Sequence, residues 1–309
     1  MPLDTSSRFS DPRSSDLRRT PVRNAHLWLC LPILMTVVLS GCGWIQSRVT
    51  GGLMEDLTIA TSRHDDVALV RQAIPPLLLF LDGLIEGSAT DAGLLTRGAQ
   101  SYASYASLIE VDEPERAARL YARAHDYGRR ALIARRPVAE ALLARPFDEF
   151  TQIEAHLKDS DIDVVFWAAS SWGAWISTHL DSMAALAQLP RVIFLMEWVL
   201  ARDEGFLDGA PHIFLGVYHA ALPRMLGGSP DRAHSHFERA LEINKRQSLM
   251  VQVQMARYYA RQIFDRDLFV QLLQEVLDAP ANINPDLTLQ NTAAQEQARI
   301  LLEQTDELF

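Results

Sequence analysis

Between Gly205 and Asn244 the chain reads GFLDGAPHIFLGVYHAALPRMLGGSPDRAHSHFERALEIN, and this stretch leaves few folds open. Ile213, Val217, Ala220 and Ala221 recur at helical spacing, so one stripe of a first helix faces a neighbour. Gly227 and Gly228 predict the end of that helix, Ser229 caps the next, and Pro230 sits in a first turn, where its missing N–H costs nothing. In the second arm Ala233, Phe237, Ala240 and Leu241 lie at i, i+4, i+7 and i+8. Small, aromatic, small at that spacing is the second-helix pattern of a tetratricopeptide unit. The small side chains let two helices approach, and the ring fills the space beside them.

Elsewhere the chain reads as copies of this hairpin or departures from it. Leu94 to Ile109 predicts a helix with Tyr102, Tyr105 and Leu108 on one side, and the helix starting at Pro114 repeats the small–aromatic–small offsets as Ala117, Tyr121 and Ala124. A third, degenerate copy runs from Val251 to Pro280 through Ala256, Tyr259, Leu268 and Leu272. Residues 285–309 read as a terminal capping helix. With no clear strand alternation, the expectation is an all-α array of antiparallel helical hairpins, a tetratricopeptide-like α-solenoid. Two features near the start are less regular. Pro75-Pro76 interrupts a helical pattern that begins at Val67, which predicts a kink or two abutting helices. The surrounding residues are apolar on every side, which predicts burial in the core.

The first 25 residues are rich in Ser, Pro, Asp and Arg and lead into the apolar run Leu27 to Val38, too short to span a bilayer comfortably. That is the layout of an export signal, and it ends in Leu39-Ser40-Gly41-Cys42, a fit to the bacterial lipobox. A short signal anchor with a coincidental cysteine is the alternative. The lipobox reading divides the chain into a signal peptide, 1–41, and an all-helical domain, 42–309, whose first residue Cys42 carries acyl chains. Gly43 follows rather than Asp, so nothing signals inner-membrane retention, and the expected location is the periplasmic side of the outer membrane. Cys30 and Cys42 are the two cysteines of the chain, so the mature protein is left without a disulfide and depends on packing. Cleavage removes five arginines and three aspartates, leaving a net charge of about −12. That sign argues against nucleic acid as a partner.

No catalytic constellation is present: no phosphate-cradling glycine loop, GxSxG elbow, HExxH helix or cysteine pair. The expectation is a non-enzyme without cofactor or metal. His212 and His219 would share a helix face near Asp208, but such histidines commonly serve as hydrogen-bonding groups rather than ligands. Ser170 and Ser171 have no paired base in their segment. The better functional lead is DIDVVFWAASSWGAWI, with three tryptophans among small residues. Trp172 and Trp175 are i, i+3 neighbours on one face, and Trp167 falls on an adjacent one. These rings either pack an ordinary core or line an apolar cavity between hairpins. On the second reading the candidate ligand-pocket residues are Phe166, Trp167, Trp172, Trp175, His212 and Tyr218.

In combination, HIFLGVYHAALPRMLGGSPDRAHSHFERALEI, ERAARLYARAHDYGRRAL, the tryptophan-rich segment and the C-terminal LQNTAAQEQARILLEQTDELF resemble the TatT family. These are tetratricopeptide-like lipoproteins associated with tripartite ATP-independent periplasmic (TRAP) transporters, and the resemblance covers roughly residues 50 to 309. It implies a periplasmic lipoprotein that partners a TRAP solute-binding protein, binds a small hydrophobic or organic-acid ligand, and forms a homo-oligomer such as a trimer. Only Cys42 inherits a defined role, lipidation. The competing expectation is an outer-membrane lipoprotein scaffold for protein–protein assembly, with a polar concave face and no enclosed apolar cavity.

Overall fold

A computed structural model describes residues 56–309, and within it Thr58–Phe309 form one unit in which every described regular element is helical. The export signal, the lipobox and Cys42 lie outside the described residues. After a short helical run over 56–62 come α1 (Val67–Gly87), α2 (Ala92–Ile109), α3 (Pro114–Arg135), α4 (Val138–Leu143) and α5 (Phe147–Phe150). Then follow α6 (Ile162–Ser177), α7 (Met183–Leu186), α8 (Leu189–Leu200), α9 (Phe206–Ala221) and α10 (Pro230–Ile243). The last are α11 (Met250–Gln254), which continues as a π-helical turn over Met255–Ala260, α12 (Arg266–Asp278), α13 (Thr288–Glu303) and α14 (Thr305–Leu308). Chain neighbours pack on one another: α2 on α3, α9 on α10, and α12 on α13 and the π-helical turn.

The hairpin that opened the sequence reading forms as its spacing predicts. Ala233, Phe237 and Ala240 are fully buried and Leu241 nearly so. Ser229 Oγ accepts from the backbone N–H of Arg232, with Pro230 in the first turn. The first arm ends earlier than its glycines suggest. Leu222 precedes Pro223 and is extended (φ −99°, ψ 145°), because the proline ring disfavours helical backbone before it, so α9 stops at Ala221. At its other end Leu207, Asp208 and Gly209 all have positive φ (45°, 58° and 88°), a left-handed start that the sequence does not announce.

Two hydrophobic cores meet at α9. Residues from Leu78 to Leu215 form the larger, and Ala220 to Ala298 the smaller. Phe206, Ala210 and Phe214 pack on the first core, and Ile213 and Val217 on the second. In the third hairpin Phe269, Leu272, Leu273 and Val276 hold the interior, while Leu268, one residue off this stripe, is only half-buried.

α1 departs from its sequence expectation in two ways. The helix runs unbroken through Pro75 and Pro76. Pro75 has no N–H to offer the Arg71 carbonyl, but the Tyr105 hydroxyl donates to that oxygen at 3.2 Å, so the lost bond is replaced from α2. Nor is α1 buried all round. Val67, Val70, Leu78, Leu81 and Ile85 face inward, whereas Leu69, Leu79 and Phe80 are 51%, 70% and 52% exposed.

Candidate functional site

Three helices and a loop create a cleft of about 240 Å³ in the larger core. His125, Arg129 and Leu132 reach it from α3, Glu140, Leu143 and Ala144 from α4 and its C-terminal end, Ala168 and Trp172 from α6, and Gln188 from just before α8. His125, Arg129 and Leu132 lie at i, i+4 and i+7, one face of α3. What brings α6 against that face is Gly128. A Cβ there would stand 2.6 Å from Ser171 Oγ and 3.0 Å from the Ala168 backbone, closer than the two helices could tolerate.

The wall of the cleft is a stack of three rings. His125 lies nearly parallel to Trp172 (5.4 Å, 25°) and to Trp175 (5.2 Å, 21°). Trp172 is held from the other side, where its indole N–H donates to Gln188 Oε1 at 2.9 Å, and the Gln188 amide donates onward to the Ala184 carbonyl. Burial, with the nearby Arg129 charge adding to it, holds the His125 pKa down to about 4, so the imidazole is neutral at neutral pH. Its Nδ1 is buried without a hydrogen-bond partner in the protein. Arg129 is exposed at the same cleft. The cleft therefore sets apolar side chains, Leu132, Leu143, Ala168 and Trp172, beside two exposed groups of opposite charge, the Arg129 guanidinium, which can grip a carboxylate with two parallel donors, and the Glu140 carboxylate.

Of the six candidate side chains, Trp172 lines this cleft, and Trp175 sits one ring behind, across His125. Phe166 and Trp167 turn to another side of α6. Phe166 packs edge-on to Trp167 (5.1 Å, 84°) and against Phe206 (5.1 Å), so these rings join α6 to the start of α9. His212 and Tyr218 belong to α9, in a separate cluster. His212 Nδ1 lies 2.9 Å from His236 Nδ1, the His236 ring stacks on His219 (5.7 Å, 10°), and Tyr218 meets His219 edge-on. His219 Nδ1 bonds to the Gly227 carbonyl, and His212 Nε2 is 3.3 Å from Glu204, which also pairs with Arg239. Arg239, with His212 adding to it, holds the Glu204 carboxyl down to about 2. Hydrogen bonds and ring contacts among α9, α10, their connecting turn and Glu204 thus account for this cluster. Among the described residues no group of three or more His, Cys, Asp or Glu side chains has a geometry that could hold a metal ion.

Sequence reasoning did not pick out His125, Arg129, Glu140 or Gln188. The first two left a signal, a histidine and an arginine four apart on the helix that carries Ala117, Tyr121 and Ala124. The others come from short elements whose place depends on tertiary packing.

One further network anchors the wall. Asp161, fully buried just before α6, accepts from Arg135 Nε at 2.7 Å, Arg136 Nη2 at 2.6 Å and the Lys158 backbone N–H at 2.9 Å. Burial alone would raise its pKa, but these donors outweigh it and the carboxyl stays below its ordinary range. The bridge ties the end of α3 to the start of α6, the two helices that carry His125 and Trp172.

A comparison with curated proteins found no match. A protein-family model described as the TRAP transporter T-component (TAtT) matches residues 63–309, all of α1 to α14 and therefore the whole cleft. With that match over most of its length, the chain belongs to the TRAP transporter T-component family and is an all-helical accessory of a TRAP transport system.

Proposed function

We propose that this protein is a lipid-anchored periplasmic accessory that holds a small apolar or organic-acid ligand in the cleft beside Trp172 and exchanges it with a TRAP solute-binding protein. The observation that carries the ligand part is the stack of His125 on Trp172 and Trp175 at a cleft that also presents Arg129. A volume of about 240 Å³ lies below the roughly 300–1,000 Å³ of common ligand pockets and limits the guest to a compact molecule. The anchor part is supported by the lipobox at Cys42, and the partner part by family membership.

The division into a cleaved segment, 1–41, and a mature chain from Cys42 belongs to the same proposal, as does placement on the outer membrane's periplasmic face. Capture of the cognate solute-binding protein by immobilised Cys42→Ala protein tests the partnership. Retention above a bare-resin control is expected, and no retention by a chain of native circular dichroism would count against it.

A further inference from the structure

The surface of α1 opposite the core is unusual for a helix in water. Leu69, Leu79 and Phe80 are more than half exposed, Ala73 and Pro76 are exposed between them, and a Cβ on Gly83 would meet nothing within 4 Å. The helix has charges, but they point elsewhere. Arg71 pairs with Asp112 (3.0 Å) and Glu296 (3.5 Å), and Asp82 accepts from Tyr102 (2.8 Å), Tyr127 (2.7 Å) and Arg123 (3.2 Å). From Leu69 to Gly83 the outward face therefore carries no ionisable group, and Gln72 is its polar residue.

We infer that this face of α1 rests on the lipid surface, as a second membrane contact beside the N-terminal anchor. Two properties of the chain favour lipid over a second copy. The first is reach. The described chain begins at Asp56, eleven residues before α1, and the lipobox cysteine lies only 14 positions upstream of Asp56. At roughly 3.3–3.6 Å per residue, a lipid on Cys42 confines the start of this unit to within about 50 Å of the bilayer. The second is area. The stripe from Leu69 to Gly83 is about 20 Å long at 1.5 Å per residue and about 10 Å wide, far below the roughly 800 Å² per partner of a stable interface. A patch that small is too weak to hold two freely diffusing bodies together. It can still engage a flat surface to which a tether already confines it, since stable membrane attachment commonly combines two weak signals. The consequence is orientation: the anchored body would lie with α1 down rather than turn freely on its tether. This inference rests on the proposed anchor for the reach argument but not for the exposed face.

The test uses the mature full-length protein purified from membranes and reconstituted in phosphatidylethanolamine–phosphatidylcholine vesicles. Leu79→Cys and, as a control, Asp159→Cys each carry an environment-sensitive fluorophore, both positions being exposed enough to leave folding unchanged. Nitroxide-bearing phospholipids should quench the Leu79 site at least about threefold more than the Asp159 site if the face lies at the headgroup boundary. Equal quenching would overturn the inference. So would a Leu79 probe that is shielded from both water and lipid in a concentration-dependent way, the mark of a second copy. The mass of the mature N-terminal peptide reports the anchor separately. Preferential quenching on an unlipidated chain supports the face contact without the tether, and equal quenching on a lipidated chain removes the contact while the anchor stands.

Discussion

His125 and His236 both lie on second helices of hairpins, next to the small or aromatic positions that bring the helices together, and burial holds both down to about 4. Their neighbours differ. His236 is half-buried against His212 and His219, and these two imidazoles find further partners in Glu204 and the Gly227 carbonyl. His125 stacks on two indoles at the edge of a cleft, and its Nδ1 is left unpaired. The regular hairpin spends its polar groups on itself, whereas the tryptophan-rich region leaves a cleft between Trp172, Arg129 and Glu140 and, beside it, a buried imidazole nitrogen without a partner. A repeat architecture that stacks neighbours in this way can lose regularity in one place and keep its stability in the rest.

Four changes would break or sharpen this contrast. Phe237→Ala empties a fully buried site in the regular hairpin and should cost about 3–5 kcal/mol in denaturant-induced unfolding. The cleft, which lies in the other core, should keep its ligand under native conditions. Gly128→Val drives a side chain into Ser171 and the Ala168 backbone, so about 1–3 kcal/mol should be lost along with ligand retention, because α3 and α6 must separate. A variant that loses stability without losing ligand would show that the helix approach does not shape the site.

The third change is pH. His236 has its folded-state pKa lowered from 6.5 to about 4, first by burial and then by the charges of His212 and His219, with Arg232 adding to them. Burial also lowers His212 and His219, opposed by Glu204 and the Gly227 carbonyl respectively, while the nearby Arg239 and Arg232 charges add to the lowering. Between the two values the unfolded chain binds more protons than the folded one. Stability should therefore be full above about pH 6.5 and fall as the pH drops toward 4. Urea midpoints across that range measure the slope, and His236→Gln and His125→Gln should each flatten it to a similar degree, since both imidazoles are held down to about 4. The smallest effect is expected from Trp172→Phe, which keeps a ring against His125 but removes the N–H bond to Gln188. A loss of about 0.5–1.5 kcal/mol in thermal or urea unfolding is expected.

The hairpin α9–α10 could be read from sequence because its information is local: Ala233, Phe237 and Ala240 specify a close helix approach by size and spacing alone. Trp172 and Trp175 sharing a face was legible for the same reason. Their shared partner was not, because His125 arrives from a helix far earlier in the chain and Gly128 sets the approach. At α1 periodicity misled. A segment apolar on all sides forms a helix readily, but nothing within it says whether a neighbour covers the second side, and here none of the described residues does so at Leu79. At the double proline, the donor lost at Pro75 is replaced by the Tyr105 hydroxyl on the Arg71 carbonyl, a contact between residues 34 positions apart.

Native mass spectrometry of the wild type and of Trp172→Leu, each incubated with benzoate as a compact aromatic carboxylate, tests most directly whether the cleft is a binding site. The wild type is expected to hold one benzoate per chain, and Trp172→Leu, with its native circular dichroism retained, to lose it. A wild type that stays bare, or a variant that holds benzoate equally well, would contradict the account.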